Sequence, residues 1–258
     1  EMPIASAIIE HIENAGVHTI TRFNDIYGNG GMGYYSKMQG DYPETGSVLL
    51  SGSLARLYNN TIFANGFGDP SIDGQFKHGI CIWSYRTYDD WPRDVVIKNN
   101  IVFGNANEWR VGSKNILAQI TDTNNFNSDP RFLDPDLADK ASPSSPDLRL
   151  RPGSPCLDKG SSLTASSQPG SKTNRLYVDD PYFFQDGTWG SSLSEIQADW
   201  IAIGTIDNVV KIESVSYEDK LIILAAQMDP SIDNPEPKPG QPFSQAQKIV
   251  GRACGTAG

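Results

Sequence analysis

The sequence predicts an all-β protein whose first half is a stack of coils, the arrangement known as a β-solenoid. The main observation is a short pattern that occurs four times, in which a polar Asn/Asp doublet is followed by a short apolar strand. Self-similarity of this kind says more about the fold than any single residue. The copies are Phe23–Asn29, Tyr58–Asn65, Lys98–Asn105 and the degenerate Thr123–Asn127, and the first three end in a small residue and Asn.

The spacing of the copies varies, which suits strands better than helices. Asn60 and Asn100 lie 40 residues apart, whereas Asn100 and Asn125 lie 25 residues apart. Helical repeats are built from units of nearly constant length, but the turns of a solenoid can expand into loops. The apolar positions of each copy are also β-branched or aromatic and are flanked by Gly and Asn, which favours strands.

The Asn residues occupy equivalent corners of the predicted coils. Asn tolerates the left-handed backbone conformation and forms hydrogen bonds with its own main chain. Stacked Asn60, Asn100 and Asn125 would therefore form a hydrogen-bonded ladder along the solenoid. The alternative is that Asn-rich turns connect ordinary antiparallel strands.

The segment that follows the repeats carries a long ordered motif. It runs from Asp129 to Pro135 as DP-x-F-x-DP and continues from Leu150 to Gly160 as L-x-PGSP-x-x-D-x-G. This motif resembles the closing segment of bacterial β-helix proteins called choice-of-anchor Q. The repeats likewise look like rungs of the right-handed parallel β-helix, or pectate-lyase-like, superfold. The resemblance covers about residues 18 to 225, and it departs from the family at the C-terminus, where the usual Asp-Ile-Gly closing motif is absent.

The resemblance implies a right-handed parallel β-helix of about four coils plus a small C-terminal β module. It also implies a secreted or surface-displayed protein, since family members are of that kind and most have no established activity. The predicted domains are residues 1–160 (β-helix with an N-terminal cap and the closing segment), 161–171 (linker), 172–226 (β module) and 227–258 (Pro-rich flexible tail).

Composition narrows the choice of partners. The 258-residue chain has a net charge of −10 and 38% hydrophobic residues, enough for one large domain or two small ones with real cores. The acidic balance argues against nucleic acid and weakly against polyanionic substrates. No stretch is apolar for long enough to cross a bilayer. Few Lys residues and no initiator Met or signal peptide fit a mature or trimmed exported product, located outside the cell or at its surface.

Three elements have open interpretations. Residues Pro3–Asn14 carry Ile at four-residue spacing, which predicts either an amphipathic capping helix or a further degenerate strand. The odd count of Cys81, Cys156 and Cys254 allows at most one disulfide, and Cys156 is expected to be a buried, inert thiol. Two long segments, Gly30–Gly46 and Gly66–Asp94, are expected to be loops with a function.

A polysaccharide lyase is one candidate function. Lyases of acidic sugars need a Lys or Arg base and a cation or basic group that neutralises the substrate carboxylate. Lys98 lies on a rung, with Arg93 and Arg110 on either side of it in the sequence. Oxygen ligands for calcium, the one cofactor that the residues suggest, would be Asp69, Asp73, Asp89 and Asp90. A solvated Lys and turn-forming Asp residues are the simpler interpretation.

Aromatic residues give a second candidate site. Flat rings in and near the second long loop could stack on sugar rings, or they could fold inward and anchor the loop. These residues are Trp83, Tyr85, Tyr88, Trp91 and Trp109. The preferred function is a non-catalytic module with a structural or glycan-binding role. The alternatives are a lyase that acts on a uronic-acid polymer and a self-assembling component of an extracellular filament or layer.

Overall fold

The protein is all-β. The structure is a computed structural model that describes residues 8–12, 18–28, 34–38, 54–67, 78–83, 94–111, 120–136, 146–168, 173–190, 196–204, 209–226 and 242–245. Apart from two short 3-10 helices, all regular elements in these residues are strands, which confirms the all-β prediction. The chain divides into two compact units, Glu1–Gly160 with Val250–Gly258 and Ser161–Ile249. No helix within the described residues is long and apolar enough to span a membrane.

The first unit contains three parallel sheets and a hairpin. Its strands are β1 (Ile8–Ile12), β2 (Ile20–Arg22), β3 (Asp25–Tyr27), β4 (Tyr34–Met38), β5 (Arg56–Tyr58), β6 (Thr61–Phe63), β7 (His78–Trp83), β8 (Val95–Lys98), β9 (Ile101–Phe103), β10 (Asn107–Val111), β11 (Ile120–Thr123), β12 (Phe132–Asp134) and β13 (Asp147–Leu150). The first sheet has the order β1-β4-β7-β10, the second β2-β5-β8-β11 and the third β3-β6-β9. All neighbours in these sheets are parallel, so the chain visits the three sheets in the same order on each pass.

The register places equivalent residues of successive passes side by side. Ile26 pairs with Ile62, and Ile62 pairs with Val102. Since alternate residues of a strand face opposite sides, these paired residues all point to the same side of the third sheet. Their side chains enter one apolar cluster. The buried members of the cluster are Ile26, Ala55, Leu57, Ile62, Ile80, Val95, Ile97 and Val102. The core of the first unit therefore lies between the sheets.

The structure decides between the two predictions for the N-terminal segment, a helix or a strand. Ile8–Ile12 is a strand that pairs in parallel with Tyr34–Met38, so the amphipathic helix is wrong for these residues and the degenerate strand is correct. The Ile spacing of four suits one face of a helix, but β-branched residues also favour strands. Pairing with β4 satisfies the backbone groups along one side of this segment and decides between the two.

The DP-x-F-x-DP and PGSP segments form a cover on the outer side of the third sheet. Phe132 of β12 and Leu148 of β13 are buried against Phe63 and Ile101, and β12 pairs with β13 in an antiparallel hairpin. The rings of Phe63 and Phe132 meet edge to face with centroids 5.3 Å apart. Cys156 belongs to the same cluster and is fully buried, as expected from the sequence.

The second unit is a ring of six antiparallel strands. They are β14 (Thr164–Ala165), β15 (Arg175–Tyr177), β16 (Trp200–Ile203), β17 (Val209–Ser216), β18 (Leu221–Leu224) and β19 (Pro242–Gln245). Their order is β14-β19-β16-β17-β18-β15. An antiparallel bridge between Ser166 and Val178 joins the first strand to the last. Among the described strands, β14 and β15 are therefore joined to each other and are not open edges of the sheet.

Two strands of this ring lie where the sequence predicts a linker and a tail. Thr164–Ala165 falls in the Ser-rich segment 161–171, and Pro242–Gln245 falls in the Pro-rich segment 227–258. The local sequence of both segments resembles that of extended linkers. They form strands because β19 pairs on one side with β14 and on the other with β16, so each receives partners from distant residues.

Candidate functional site

Lys98, the candidate base, lies at the end of β8 with an intermediate exposure. Its carbonyl oxygen accepts hydrogen bonds from the Asn59 N–H at 3.2 Å and from Asn100 Nδ2 at 3.1 Å. Arg110 and Trp109 lie on β10 and Trp83 lies on β7, but their side chains are outside the described part of the protein. Also outside it are Arg93, Tyr85, Tyr88 and Trp91.

The calcium candidates Asp69, Asp73, Asp89 and Asp90 also lie outside the described residues. Within the residues that are described, no group of three or more His, Cys, Asp or Glu side chains is placed to hold a metal ion. A calcium site and a catalytic Lys98 therefore stay predictions from the sequence. The described structure brings together two other sets of residues, an Asn column and an aromatic cluster.

Asparagine side chains form a column through the first unit. Asn24 Nδ2 donates to Asn60 Oδ1 at 3.0 Å, and Asn60 Nδ2 donates to Asn100 Oδ1 at 2.9 Å. Asn100 Nδ2 continues the series to Asn125 Oδ1 at 2.8 Å. Each oxygen also accepts the backbone N–H of the preceding Asn, at 2.8 to 3.1 Å. The sequence predicted this ladder for Asn60, Asn100 and Asn125, and the structure extends it by one pass to Asn24.

A left-handed residue precedes each Asn of the column. Phe23, Asn59, Asn99 and Asn124 have φ between 55° and 58°, which turns the chain sharply from the second sheet into the third. Asn adopts this conformation at low cost because its short polar side chain bonds locally. A bulky residue does so only with strain, so Phe23 is the costly member of the set. The Asn doublet of the repeat is thus one residue for the turn and one for the ladder.

A second, shorter Asn ladder lies at the other end of the third sheet. Asn65 Nδ2 donates to Asn105 Oδ1 at 2.9 Å and to the Ile26 carbonyl at 3.0 Å. Asn65 is fully buried and Asn105 nearly so. The sequence places these two Asn residues at the end of their copies of the repeat, but their stacking was not predicted. Their shared offset of 40 residues, the same as for Asn60 and Asn100, was the available signal.

The ladders use the hydrogen-bonding capacity of their amides for structure. Asn100 is fully buried, and its Nδ2 donates to Leu57 O, Lys98 O and Asn125 Oδ1. Such an amide is neither an acid nor a base, and its donors are already engaged. The column can therefore hold the passes in register but offers no group for proton transfer.

The second unit carries an aromatic platform, formed by Tyr182, Trp189 and Tyr217. The rings of Tyr182 and Tyr217 stack with centroids 5.2 Å apart and planes 15° apart. Trp189 lies 6.2 Å from Tyr217 at an angle of 45°, and 43% of its surface is exposed. Tyr182 belongs to the 3-10 helix Pro181–Phe183 and Trp189 to the 3-10 helix Thr188–Gly190. The platform is therefore built from two short helical turns and the residue after β17.

Hydrogen bonds hold the platform in place. Tyr217 donates its hydroxyl to the Phe184 carbonyl at 2.9 Å, and Trp189 donates to the Tyr217 hydroxyl. Burial of the ring is the main cause that raises the pKa of Tyr217 above its ordinary range, and the negative charge of nearby Asp186 is the second. The ring is therefore neutral, and its hydroxyl is committed to a structural bond. This leaves the exposed indole of Trp189 as the accessible part of the platform.

Asp186 supports the platform from the side. Its Oδ1 accepts the Thr188 hydroxyl at 2.6 Å and the Thr188 N–H at 3.1 Å, while Oδ2 accepts the Val215 N–H at 3.0 Å. Partial burial pushes the pKa of Asp186 up, but these hydrogen bonds outweigh it and the pKa lies below the ordinary value. The carboxylate thus ties the turn that carries Trp189 to strand β17.

The aromatic platform was not predicted from the sequence. Tyr182, Trp189 and Tyr217 share no repeat and no regular spacing, and only their aromatic character was visible. They meet because the Val215 N–H donates to Asp186 and the Tyr217 hydroxyl donates to the Phe184 carbonyl, which ties the end of β17 to the two helical turns. Comparison with protein-family models, with curated proteins and with solved structures gives no match to this chain.

Proposed function

We propose that this chain is a non-catalytic extracellular or cell-surface module that binds a glycan on an exposed aromatic platform. The observation that carries the proposal is the arrangement of Tyr182, Trp189 and Tyr217, in which two stacked rings and a tilted indole are fixed by hydrogen bonds. Flat aromatic faces with polar edges suit the apolar faces and hydroxyls of sugar rings. A prearranged platform also loses little conformational entropy on binding.

The first unit serves, in this proposal, as a rigid scaffold wound as a right-handed parallel β-helix of about four coils. In-register parallel pairing in three sheets and the two Asn ladders support this architecture. Connections between parallel strands of one sheet are almost always right-handed, which supports the hand. An experimental structure in which the connections from β1 to β4 and from β4 to β7 are traced tests it, and a left-handed connection would contradict it.

Binding can be tested on an array of neutral and acidic oligosaccharides. Wild-type protein is expected to bind a subset of the glycans, and Trp189→Ala is expected to weaken that binding about tenfold because it removes the exposed ring. Trp189→Phe keeps a flat ring and should retain part of the affinity. Circular dichroism and thermal unfolding show whether each variant keeps its fold.

Trp200→Ala is the matched control. Trp200 lies in the same unit and is 51% exposed, but it has no ring contact with the platform. Its removal should leave glycan binding unchanged. A wild-type protein that binds no glycan, or a Trp189→Ala variant that binds as well as Trp200→Ala, would overturn the proposal.

A further inference from the structure

We propose that a groove of the first unit, which contains Arg131 and Arg151, is a binding site for a small organic monocarboxylate with an apolar body. The groove is a cavity of about 280 Å³ lined by Phe103, Asp129, Arg131, Phe132, Pro135 and Arg151. It belongs to the first unit, whereas the aromatic platform belongs to the second, so this site is independent of the proposed glycan binding.

The floor is apolar and well supported. Phe103 lies on β9, where its ring stacks on Phe63 with centroids 6.4 Å apart. Phe132 lies on β12, is 4% exposed and meets the same Phe63 ring edge to face. Because Phe63 is fully buried and contacts both rings, it holds them in place. Phe103, which is partly exposed, therefore offers a prearranged apolar surface to the body of a ligand, and Phe132 adds only a small exposed edge.

The two arginines are positioned by single hydrogen bonds to the backbone. Arg131 Nη1 donates to the Gly153 carbonyl at 3.1 Å, and Arg151 Nη2 donates to the Leu133 carbonyl at 2.6 Å. The Arg151 N–H also donates to the Arg131 carbonyl at 2.9 Å, which makes the two residues neighbours across the hairpin. A guanidinium has five N–H donors in a planar fork that matches a carboxylate. Each arginine thus keeps donors for an anion.

Charge selects a monoanion over a polyanion. Asp129 lines the same groove and accepts the backbone N–H of Arg131 at 2.8 Å. Among the described lining residues, two guanidinium groups and one carboxylate leave a charge of about +1. The whole chain carries −10, which repels extended polyanions. One carboxylate on the ligand neutralises the local excess. The remaining oxygen of Asp129 can accept a hydrogen bond from a donor on the ligand.

Size sets the class of ligand. A volume of about 280 Å³ is just below the usual range of about 300–1,000 Å³ for ligand pockets. A single ring with a short acidic arm is of a suitable size, with the ring on Phe103 and Phe132 and the carboxylate between the arginines. The probe is therefore 3-phenylpropanoate, its neutral isostere is 3-phenylpropan-1-ol, and acetate and inorganic phosphate represent the anion without the ring.

The test is ligand-observed saturation-transfer NMR and titration on the full chain. 3-Phenylpropanoate should bind to the wild type, and the alcohol should bind about tenfold more weakly because it lacks the charged partner. Acetate and phosphate should compete only weakly. Equal binding of the alcohol and the acid would overturn the proposal without any variant. Tighter binding of phosphate than of the acid would also overturn it, because the groove would then be a general anion site.

Variants locate the site. Arg151→Gln and Arg131→Gln should each weaken binding of 3-phenylpropanoate by about tenfold, since each removes a charged donor. Arg149→Gln is the matched control, because Arg149 lies on the same hairpin, is paired with Asp147 and does not line the groove. Where a Gln variant unfolds, Arg151→Lys replaces it, because Lys keeps the charge but not the fork. Wild-type binding in the Arg151 and Arg131 variants, or equal loss in Arg149→Gln, would contradict the assignment.

Discussion

Asp122 Oδ1 accepts a hydrogen bond of 2.6 Å from Asn125 Nδ2. Asn60 and Asn100 each direct the equivalent N–H to the Asn oxygen of the next pass. Asn125 is the last Asn of the column, and the carboxylate of Asp122 takes the place of that next oxygen. The ladder therefore ends on an acceptor supplied by its own pass, and the last amide keeps its hydrogen bonds.

Asn100→Ala should destabilise the first unit by about 3 kcal/mol, because it leaves several buried donors and acceptors unpaired. The two N–H groups of Asn100 Nδ2 are shared among three acceptors, its Oδ1 accepts two hydrogen bonds, and the residue is fully buried. Urea unfolding followed by circular dichroism measures the change. Asn127→Ala is the control, since Asn127 is exposed and should lose little. A loss below about 1 kcal/mol for Asn100→Ala would contradict the structural role of the ladder.

Gly104→Ala should cost more stability than Gly153→Ala. Both glycines have positive φ, 67° and 78°, so an added Cβ carries a backbone cost of about 1–2 kcal/mol at either position. At Gly104 the Cβ would also lie 3.3 Å from the Phe63 ring, whereas at Gly153 nothing lies within 4 Å. We expect a difference of about 1 kcal/mol in unfolding free energy, from overpacking against a buried ring. Equal costs would mean that the Phe63 ring moves aside freely.

Arg56→Ala and Asp94→Asn should have very different effects. Arg56 is 2% exposed and donates to the Asp94 and Ala55 carbonyls at 2.6 and 3.1 Å, so its loss leaves buried acceptors and a cavity, and about 3 kcal/mol is expected. The Asp94 side chain is 52% exposed, so losing its charge should cost at most about 1 kcal/mol. Asn also suits the left-handed φ of 51° at this position.

Unfolding curves of both Arg56 and Asp94 variants at low and high salt provide the check. The contribution of the exposed carboxylate should shrink with added salt, while the cost of Arg56→Ala should persist. A large loss in Asp94→Asn would show that the ion pair, rather than the carbonyl hydrogen bonds, is what holds Arg56.

The second unit should lose stability in acid through Asp186. The folded-state pKa of this carboxyl lies below the ordinary value of 3.8. A depressed folded pKa adds stability above the unfolded pKa, and this stability is lost as the pH falls through the folded pKa. Asp186→Asn should therefore be less stable than the wild type near neutral pH, and the two should converge at strongly acidic pH. Thermal unfolding between neutral and acidic pH, followed by Trp fluorescence, measures this; parallel pH curves for the two proteins would contradict it.

The rungs and the first ladder were visible in the sequence because they depend on local properties that recur. Asn59 and Asn99 are suited to the left-handed turn. Asn60 and Asn100 are suited to form a hydrogen bond with the next pass. The β-branched residues between them favour strands. Repetition makes these preferences legible, since each copy reports the same environment. Phe23 shows the limit of such prediction, because it is bulky and still adopts the same left-handed turn.

The candidate sites were less predictable, because they join residues that are far apart in the chain. Arg131 and Arg151 become neighbours only through the β12–β13 hairpin, and Phe103 reaches them from the third sheet. Trp189 and Tyr217 meet only because strand β17 returns to the helical turns. Residues without a shared spacing carry no signal of such contacts.

The sequence by itself determined that the protein is all-β, that its rungs recur between Phe23 and Asn127, and that Asn residues line up from pass to pass. These follow from the backbone preferences of individual residues. The tertiary structure alone decided that Ile8–Ile12 is a strand, that β14 and β19 belong to a closed ring, and that two arginines line one groove with Phe103 and Phe132. Each of these depends on hydrogen bonds or packing supplied by a distant segment, which no local pattern encodes.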